Sequence, residues 1–227
     1  PSILPLDGEP NLSGATMLTN PVSTGAARAG RVNADEERLQ GPEANCRVGD
    51  FRLDNAKISI CIQAETTFSQ FSFFGGNIVD AHLADRPGTD AFREVFVAPG
   101  LGEARVDTIG IVKDGSEGGH AVIRTEGFAQ GALILQGVLP NAFLPPASYI
   151  TTEYRLEPDS NAVEILTWIH IRESFAVNLR LVDFVYFGDR TALFTPDNVL
   201  GEFPNKMPYV AATAKDVSYA WETDFAP

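Results

Sequence analysis

The stretch that decides the fold runs from Gly49 to Asp80. It begins GDFRLDNAKISICIQ and ends in FGGNIVD. In its first part apolar and polar residues alternate as in a half-buried strand, and Asp54-Asn55 marks a turn between two such runs. The pair Gly75-Gly76 predicts a second turn before a short extended run. We therefore expect antiparallel β-structure from this stretch.

The same kind of pattern continues along the rest of the chain. Strand-like runs recur at spacings of about ten residues, with Gly, Pro, Asp and Asn between them. The strongest runs are AVEILTWIHIR at 162–172 and LRLVDFVYF at 179–187. No window of normal helix length shows an apolar stripe with helical period, and ADEERLQ predicts a single helical turn. The sequence predicts an all-β fold, an antiparallel β-sandwich or supersandwich with little helix.

Two regions differ in composition. Residues 1–45 are rich in Pro, Gly, Ser, Asn and Ala and show little periodicity. This composition is typical of a flexible segment, or of an arm that docks on a partner. Residues 46–227 are interpreted as the β-domain. The strand pattern of VSYAWE, close to the last residue, leads us to expect that the natural domain or chain continues.

Composition and charge exclude several classes of function. The chain has 227 residues, 44% of them hydrophobic, and a formal net charge of −13. An acidic surface repels phosphate backbones and anionic lipid, so we expect no binding to nucleic acid or to membrane surfaces. No apolar run approaches the roughly 18 residues of a membrane span. The acidic balance indicates solubility, with cation binding as the alternative.

The two cysteines, Cys46 and Cys61, allow two interpretations. In an oxidising compartment they close a short loop as a disulfide, which the positions of the two residues around an extended segment favour. The alternative is two separate buried thiols. Two cysteines without CxxC spacing make no zinc site.

One strand face combines aromatic and polar side chains. In WIHIR, the residues Trp168, His170 and Arg172 share a face because side chains alternate along a strand. These three are the candidate ligand-binding residues, with Trp168 stacking on a sugar ring and the other two supplying hydrogen bonds. The alternative is an ordinary surface face of a sheet.

The phrase DAHLADRPGTD carries three carboxylates, Asp80, Asp85 and Asp90. Several carboxylates in one loop are suited to Ca²⁺, which takes six to eight oxygen ligands. A solvated acidic loop is the alternative. Asp80 and His82 also project to one side of an extended strand, which permits an acid/base pair.

The remaining motifs indicate no catalytic site. His120 follows DGSEGG, which a hairpin turn explains because no helix and no lysine follow it. No nucleophile elbow occurs, and neither cysteine has a basic residue near it in sequence. The sequence therefore predicts no catalytic residue.

Five phrases resemble a recurrent module of exported bacterial proteins. They are Gly49–Ile58, Gly75–Ala81, Asp114–Gly119, Tyr154–Ile165 and Asp183–Asp189. The module is similar to the β-supersandwich of galactose-mutarotase-like proteins. Such modules often form the N-terminal part of longer chains, some of which end in a PHP-type metallohydrolase domain, as in carbaryl-hydrolase-like proteins. The resemblance implies a supersandwich fold and export, and it carries over no catalytic residue.

We expect a non-catalytic binding or structural module of an exported or cell-surface bacterial protein. A protein partner or self-assembly through the arm is the expected mode of action, with a glycan as a further ligand. Two alternatives stay open at this point. One is a mutarotase-like carbohydrate-active enzyme, an epimerase or lyase. The other is a carbohydrate-binding module that uses the face around Trp168.

Overall fold

The computed structural model describes residues 4–65, 71–99, 102–131, 146–174, 181–194 and 209–222. The stretch from Gly49 to Asp80 supplies three neighbouring strands, and all described strand pairs are antiparallel. In chain order the strands are β1 Ala27–Arg31, β2 Phe51–Asn55, β3 Ile58–Ile62, β4 Ile78–Leu83, β5 Glu94–Pro99, β6 Gly102–Lys113, β7 Ala121–Gly131, β8 Ser148–Leu156, β9 Val163–Ile171, β10 Leu181–Tyr186, β11 Ala192–Phe194, β12 Tyr209–Thr213 and β13 Ser218–Glu222. A single turn of 3-10 helix, Asp35–Glu37, lies between β1 and β2.

The strands form three sheets. The first has six strands in the order β1-β2-β3-β4-β5-β10, and the second has four in the order β6-β7-β8-β9. A smaller sheet contains β11, β12 and β13. The predicted all-β antiparallel sandwich with little helix is confirmed. The strand-like run of the sequence at 133–138 lies outside the described residues.

The main core lies between the six-stranded and the four-stranded sheets. The alternation in β2 and β3 turns Phe51, Leu53, Ile58, Ile60 and Ile62 to the same side, where they join Ile123, Tyr154 and Leu156 of the second sheet. The phenol of Tyr154 donates a hydrogen bond to the carbonyl of Gly76 at 2.6 Å. Gly76 has a φ of +86°, and a Cβ there would lie 2.6 Å from a methyl of Val106. The predicted turn at the glycine pair is thus also a contact between the two sheets.

A second apolar cluster covers the opposite face of the six-stranded sheet. It contains Leu18, Val32, Leu39, Cys46, Cys61 and Val79. Because both faces of β2 and β3 are covered, every residue of these two strands is buried. This explains why the even-numbered and the odd-numbered residues of ISICI are both shielded from water.

Most of the covering residues come from the predicted arm, residues 1–45. From residue 4 onward the arm lies against the body of the same chain, and Ala27–Arg31 pairs with β2 along its whole length. The flexibility of this arm and its docking on a partner stay predictions. In the described part of the chain, no helix is long and apolar enough to cross a membrane.

Candidate functional site

Cys46 and Cys61 form a disulfide, as the sequence predicts. Their Cα atoms lie 6.0 Å apart, and both residues are fully buried. Cys61 belongs to β3, whereas Cys46 ends the segment that covers this face of the sheet. The bond therefore joins the covering segment to the centre of the six-stranded sheet.

Beside the disulfide, the carboxyls of Asp80 and Asp90 form a buried pair. Asp80 accepts hydrogen bonds from the backbone N–H groups of Asn45 at 2.7 Å and Cys46 at 2.6 Å. Asp90 accepts one from the N–H of Ala81 at 2.9 Å, and its carboxyl lies within reach of a hydrogen bond with the carboxyl of Asp80. Such a bond between two carboxyls requires one of them to carry a proton.

The three carboxylates proposed for calcium do not converge. Asp80 and Asp90 are fully buried, whereas Asp85 is exposed. Among the described residues, the ligand atoms of the three do not gather into one group close enough to hold an ion. The backbone N–H groups that bind Asp80 occupy the oxygens a cation would need.

Burial is the main cause that raises the pKa of both Asp80 and Asp90, and the charge of Asp90 raises that of Asp80 further. A carboxyl whose pKa rises on folding binds its proton more tightly in the folded state. Its stabilisation is complete below the unfolded pKa of about 3.9, and it is lost as the pH rises through the folded value. The protein should therefore lose stability as the pH rises from about 4 through neutrality.

Replacing Asp90 with asparagine is expected to flatten this dependence. The amide keeps an acceptor for the N–H of Ala81 and donates to Asp80 without a charge. The free energy of unfolding of the variant, relative to that of the wild type, should rise by up to about 1.4 kcal/mol per pH unit over the pH range in which the pair ionises. Urea unfolding from pH 5 to pH 9 measures the difference. Asp85→Asn is the exposed control, and parallel curves for wild type and Asp90→Asn would contradict the shared proton.

A row of polar side chains crosses the covered face of the six-stranded sheet. Arg28 lies opposite Asp54, Asp54 opposite Ser59, and Ser59 opposite His82. Residues 18–22 and 36–40 lie over this row and leave a cavity of about 470 Å³. The sequence placed His82 beside Asp80, and the structure adds Ser59 and Asp54, whose positions depend on strand register.

His82 and Asp80 share a face of β4 but do not act on each other through a hydrogen bond. The Nδ1 of His82 bonds to the carbonyl of Leu83 at 2.8 Å, while the Asp80 oxygens are occupied as described above. Burial lowers the pKa of His82, and the positive charge of Arg52 lowers it further. His82 is therefore neutral at neutral pH, and the structure describes no hydrogen bond between it and Asp80.

The other two histidines lie elsewhere. His120 precedes β7 and has its Nδ1 3.4 Å from the carboxylate of Glu157. Val163 of β9 lies at the end of the sheet where β7 begins next to His120. His170 is seven residues further along β9, which is a distance of roughly 23 Å. The three histidines do not converge, so the cleft that a mutarotase-like enzyme would need is not built from them.

A second row crosses the outer face of the four-stranded sheet. Phe128 lies opposite Tyr149, and Tyr149 lies opposite His170. Trp168 is two residues from His170 on the same face, and Arg172 follows just beyond the strand. We call these five residues the aromatic face. The structure thus places the predicted ligand-binding residues Trp168, His170 and Arg172 together with two rings from neighbouring strands.

The aromatic face has close ring and cation contacts. The rings of Phe128 and Tyr149 meet edge to face, 5.1 Å apart. The guanidinium of Arg172 lies 5.4 Å from the Phe128 ring, and that of Arg155 lies 5.8 Å from the Trp168 ring. Such cation–ring contacts hold the rings in place. Phe128 is 37% exposed, and His170 and Arg172 are exposed as well.

The Tyr149 hydroxyl donates a hydrogen bond to Glu126 at 2.9 Å. Burial, followed by this bond and the charge of Glu126, raises the pKa of Tyr149 to about 12. The phenol therefore stays protonated. Glu126, in turn, is engaged as an acceptor.

The remainder of this sheet face is closed by the start of the chain. Leu6 donates its N–H to Glu153 at 2.9 Å, while Arg124 donates to the carbonyls of Leu6 and Gly8. Arg124 and Glu153 are buried beneath this segment. At the aromatic end of the face, Phe128 and His170 remain exposed.

Sequence reasoning missed Phe128 and Tyr149. Strand alternation alone can place Tyr149 on one face of SYITTEYRL, but only the register between strands shows which residues of β7 and β9 lie beside it. Phe128 lies in EGFAQG, whose two glycines hide the strand pattern.

Comparisons with known protein families, with curated proteins and with solved structures found no match for this chain. The resemblance to galactose-mutarotase-like modules therefore stays a prediction.

Proposed function

We propose that this protein is a non-catalytic binding module of an exported protein, and that it binds a saccharide chain on the aromatic face. The observation that carries the proposal is the row of Phe128, Tyr149 and His170 across three strands, with Trp168 and Arg172 beside it. The three binding residues expected from the sequence share this face with two rings that the sequence did not associate with them.

The chemistry of the face suits a saccharide. Pyranose rings present C–H groups that pack on flat aromatic surfaces, while their hydroxyls need hydrogen-bonding partners. Phe128 and Tyr149 offer ring surface, and His170 and Arg172 offer polar groups at its edge. Neighbouring strands are about 4.8 Å apart, so a row over three strands spans roughly 10 Å, comparable to a disaccharide.

The carboxylates near the face support binding over hydrolysis. Glycosidases need two available carboxyls on either side of the bond that is cleaved. Here Glu126 accepts the Tyr149 hydroxyl, and Glu153 is enclosed between Arg124 and Arg155. Neither is available to a ligand in the arrangement that the structure describes.

Export is supported by the disulfide between Cys46 and Cys61. Such bonds form and persist in oxidising compartments and are rare in the cytosol. A binding module outside the cell meets the polysaccharides that the aromatic face is suited to.

The proposal predicts binding to at least one member of a panel of neutral and acidic polysaccharides, measured by affinity electrophoresis and calorimetry. Tyr149→Ala and Trp168→Ala should each weaken that binding about tenfold, or about 1.4 kcal/mol, because each removes ring surface. His170→Ala should weaken the polysaccharide binding as well. Because His170 is exposed, this substitution is the one least expected to disturb the fold.

Phe194→Ala is the matched control, since Phe194 is half-exposed on the three-stranded sheet, away from the aromatic face. It should bind as the wild type does. Absence of binding across the panel, or wild-type affinity in all three face variants, would overturn the proposal.

A further inference from the structure

The cavity over the six-stranded sheet has a different chemistry from the aromatic face. Its floor is the row that ends in Ser59 and His82, and its walls include the apolar side chains of Leu18 and Leu39. Its volume of about 470 Å³ lies within the range of small-molecule sites in proteins.

The charged side chains that line the cavity balance, because Arg28, Arg38 and Arg52 are matched by Glu36, Asp54 and Asp85. Arg28 contacts one carboxylate oxygen of Asp54 at 3.0 Å, and Arg52 contacts the other at 2.5 Å. Other guanidinium nitrogens of the two arginines donate to backbone carbonyls of Met17, Leu18 and Glu37. The lining as a whole carries no net charge, so the occupant that fits this cavity is uncharged.

Two polar groups in the floor keep unused hydrogen-bonding capacity. Ser59 is 4% exposed, and its hydroxyl has no hydrogen-bond partner among the described residues. His82 is 8% exposed, and because a carbonyl only accepts, its bond to Leu83 places the proton on Nδ1. The Nε2 of the neutral ring is then an acceptor. Both side chains line the cavity, so a ligand within it can satisfy both groups.

We propose that this cavity binds a small uncharged molecule with two neighbouring hydroxyl groups. One hydroxyl donates to Nε2 of His82, and the other exchanges a hydrogen bond with Oγ of Ser59. The two residues are directly opposite on β3 and β4, which separates their Cβ atoms by about 5 Å, within reach of a vicinal diol. The carbon skeleton of the ligand packs on Leu18 and Leu39. This site is independent of the aromatic face.

The probe for the test is cis-1,2-cyclohexanediol, titrated into isotope-labelled full chain and followed by NMR. We expect saturable shifts of the His82 ring signals and of the Ser59 amide. The matched probe is 1,2-dimethoxycyclohexane, which has the same skeleton but no hydroxyl to donate to His82. It should produce no saturable shift of the His82 ring.

Ser59→Ala removes one partner of the diol with little change in volume and should weaken diol binding about tenfold. Ser116→Ala, in an exposed turn, is the control and should leave the affinity unchanged. The unfolding transition of each variant shows that it is folded. Absence of saturable shifts with the diol, equal binding of the dimethoxy probe, or wild-type affinity in Ser59→Ala would overturn the proposal.

Discussion

Replacing Glu153 with alanine is expected to lower the free energy of unfolding by roughly 3–5 kcal/mol, because it leaves a buried arginine poorly compensated. Glu153 is fully buried, and its two oxygens lie 2.6 Å from Arg124 and 2.6 Å from Arg155. Without it, the carboxylate that remains to pair with Arg124 among the described residues is that of Glu126, at 3.7 Å. The N–H of Leu6 also loses its acceptor. Urea unfolding at neutral pH measures the loss.

Two variants control this result. Glu164→Ala removes an exposed carboxylate from the neighbouring strand and should change stability by less than about 0.5 kcal/mol. Glu153→Gln keeps an acceptor without the charge. Its loss of unfolding free energy should lie between those of Glu153→Ala and Glu164→Ala. A loss below about 1 kcal/mol in Glu153→Ala would contradict the importance of the buried ion pairs.

The effect of Glu153 also depends on pH. Burial opposes its ionisation, yet hydrogen bonds from Arg155 and Arg124 hold its pKa below the usual range. A carboxyl with a depressed folded-state pKa stabilises the protein above its unfolded pKa of about 4.3 and loses that contribution as the pH falls. The difference between wild type and Glu153→Ala should therefore narrow below about pH 4.

Removing the disulfide is expected to cost about 3 kcal/mol, the chain-entropy value for a loop of this size, since Cys46 and Cys61 are 15 residues apart. The double variant Cys46→Ala/Cys61→Ala frees the covering segment from β3 and exposes part of the cluster around Leu18 and Val79. Urea unfolding of the wild type with and without reductant should reproduce the loss.

The same double variant supplies the control for the reductant. Its unfolding curve should not change when reductant is added, because no disulfide remains in it. A wild type whose stability is indifferent to full reduction of Cys46 and Cys61 would contradict the prediction.

Much of the fold could be predicted because its strands carry their signal locally. Phe51, Leu53 and the isoleucines of β3 alternate with polar residues, and turn residues stand between the runs. β1 was missed because ARAGR has no apolar alternation. Its alanines are buried only because β2 and the second sheet lie beside them.

The candidate sites were predictable only in part. Trp168, His170 and Arg172 share a face because of alternation within one strand, which is a local property. Their neighbours Phe128 and Tyr149 come from other strands, and no local pattern encodes that pairing. Asp80, Asp85 and Asp90 look alike in sequence, yet the fold buries two of them together and leaves Asp85 at the surface.

The amino-acid sequence by itself determined the all-β class and most strand positions, since alternation and turn residues act over a few positions. It also favoured the Cys46–Cys61 bond, whose partners are close in the chain. Only the tertiary structure decided which polar groups meet, because strand register brings Ser59 to His82 and Tyr149 to His170. Contacts between strands depend on the packing of the whole sandwich, and for that reason the two proposed binding sites became visible only in the folded chain.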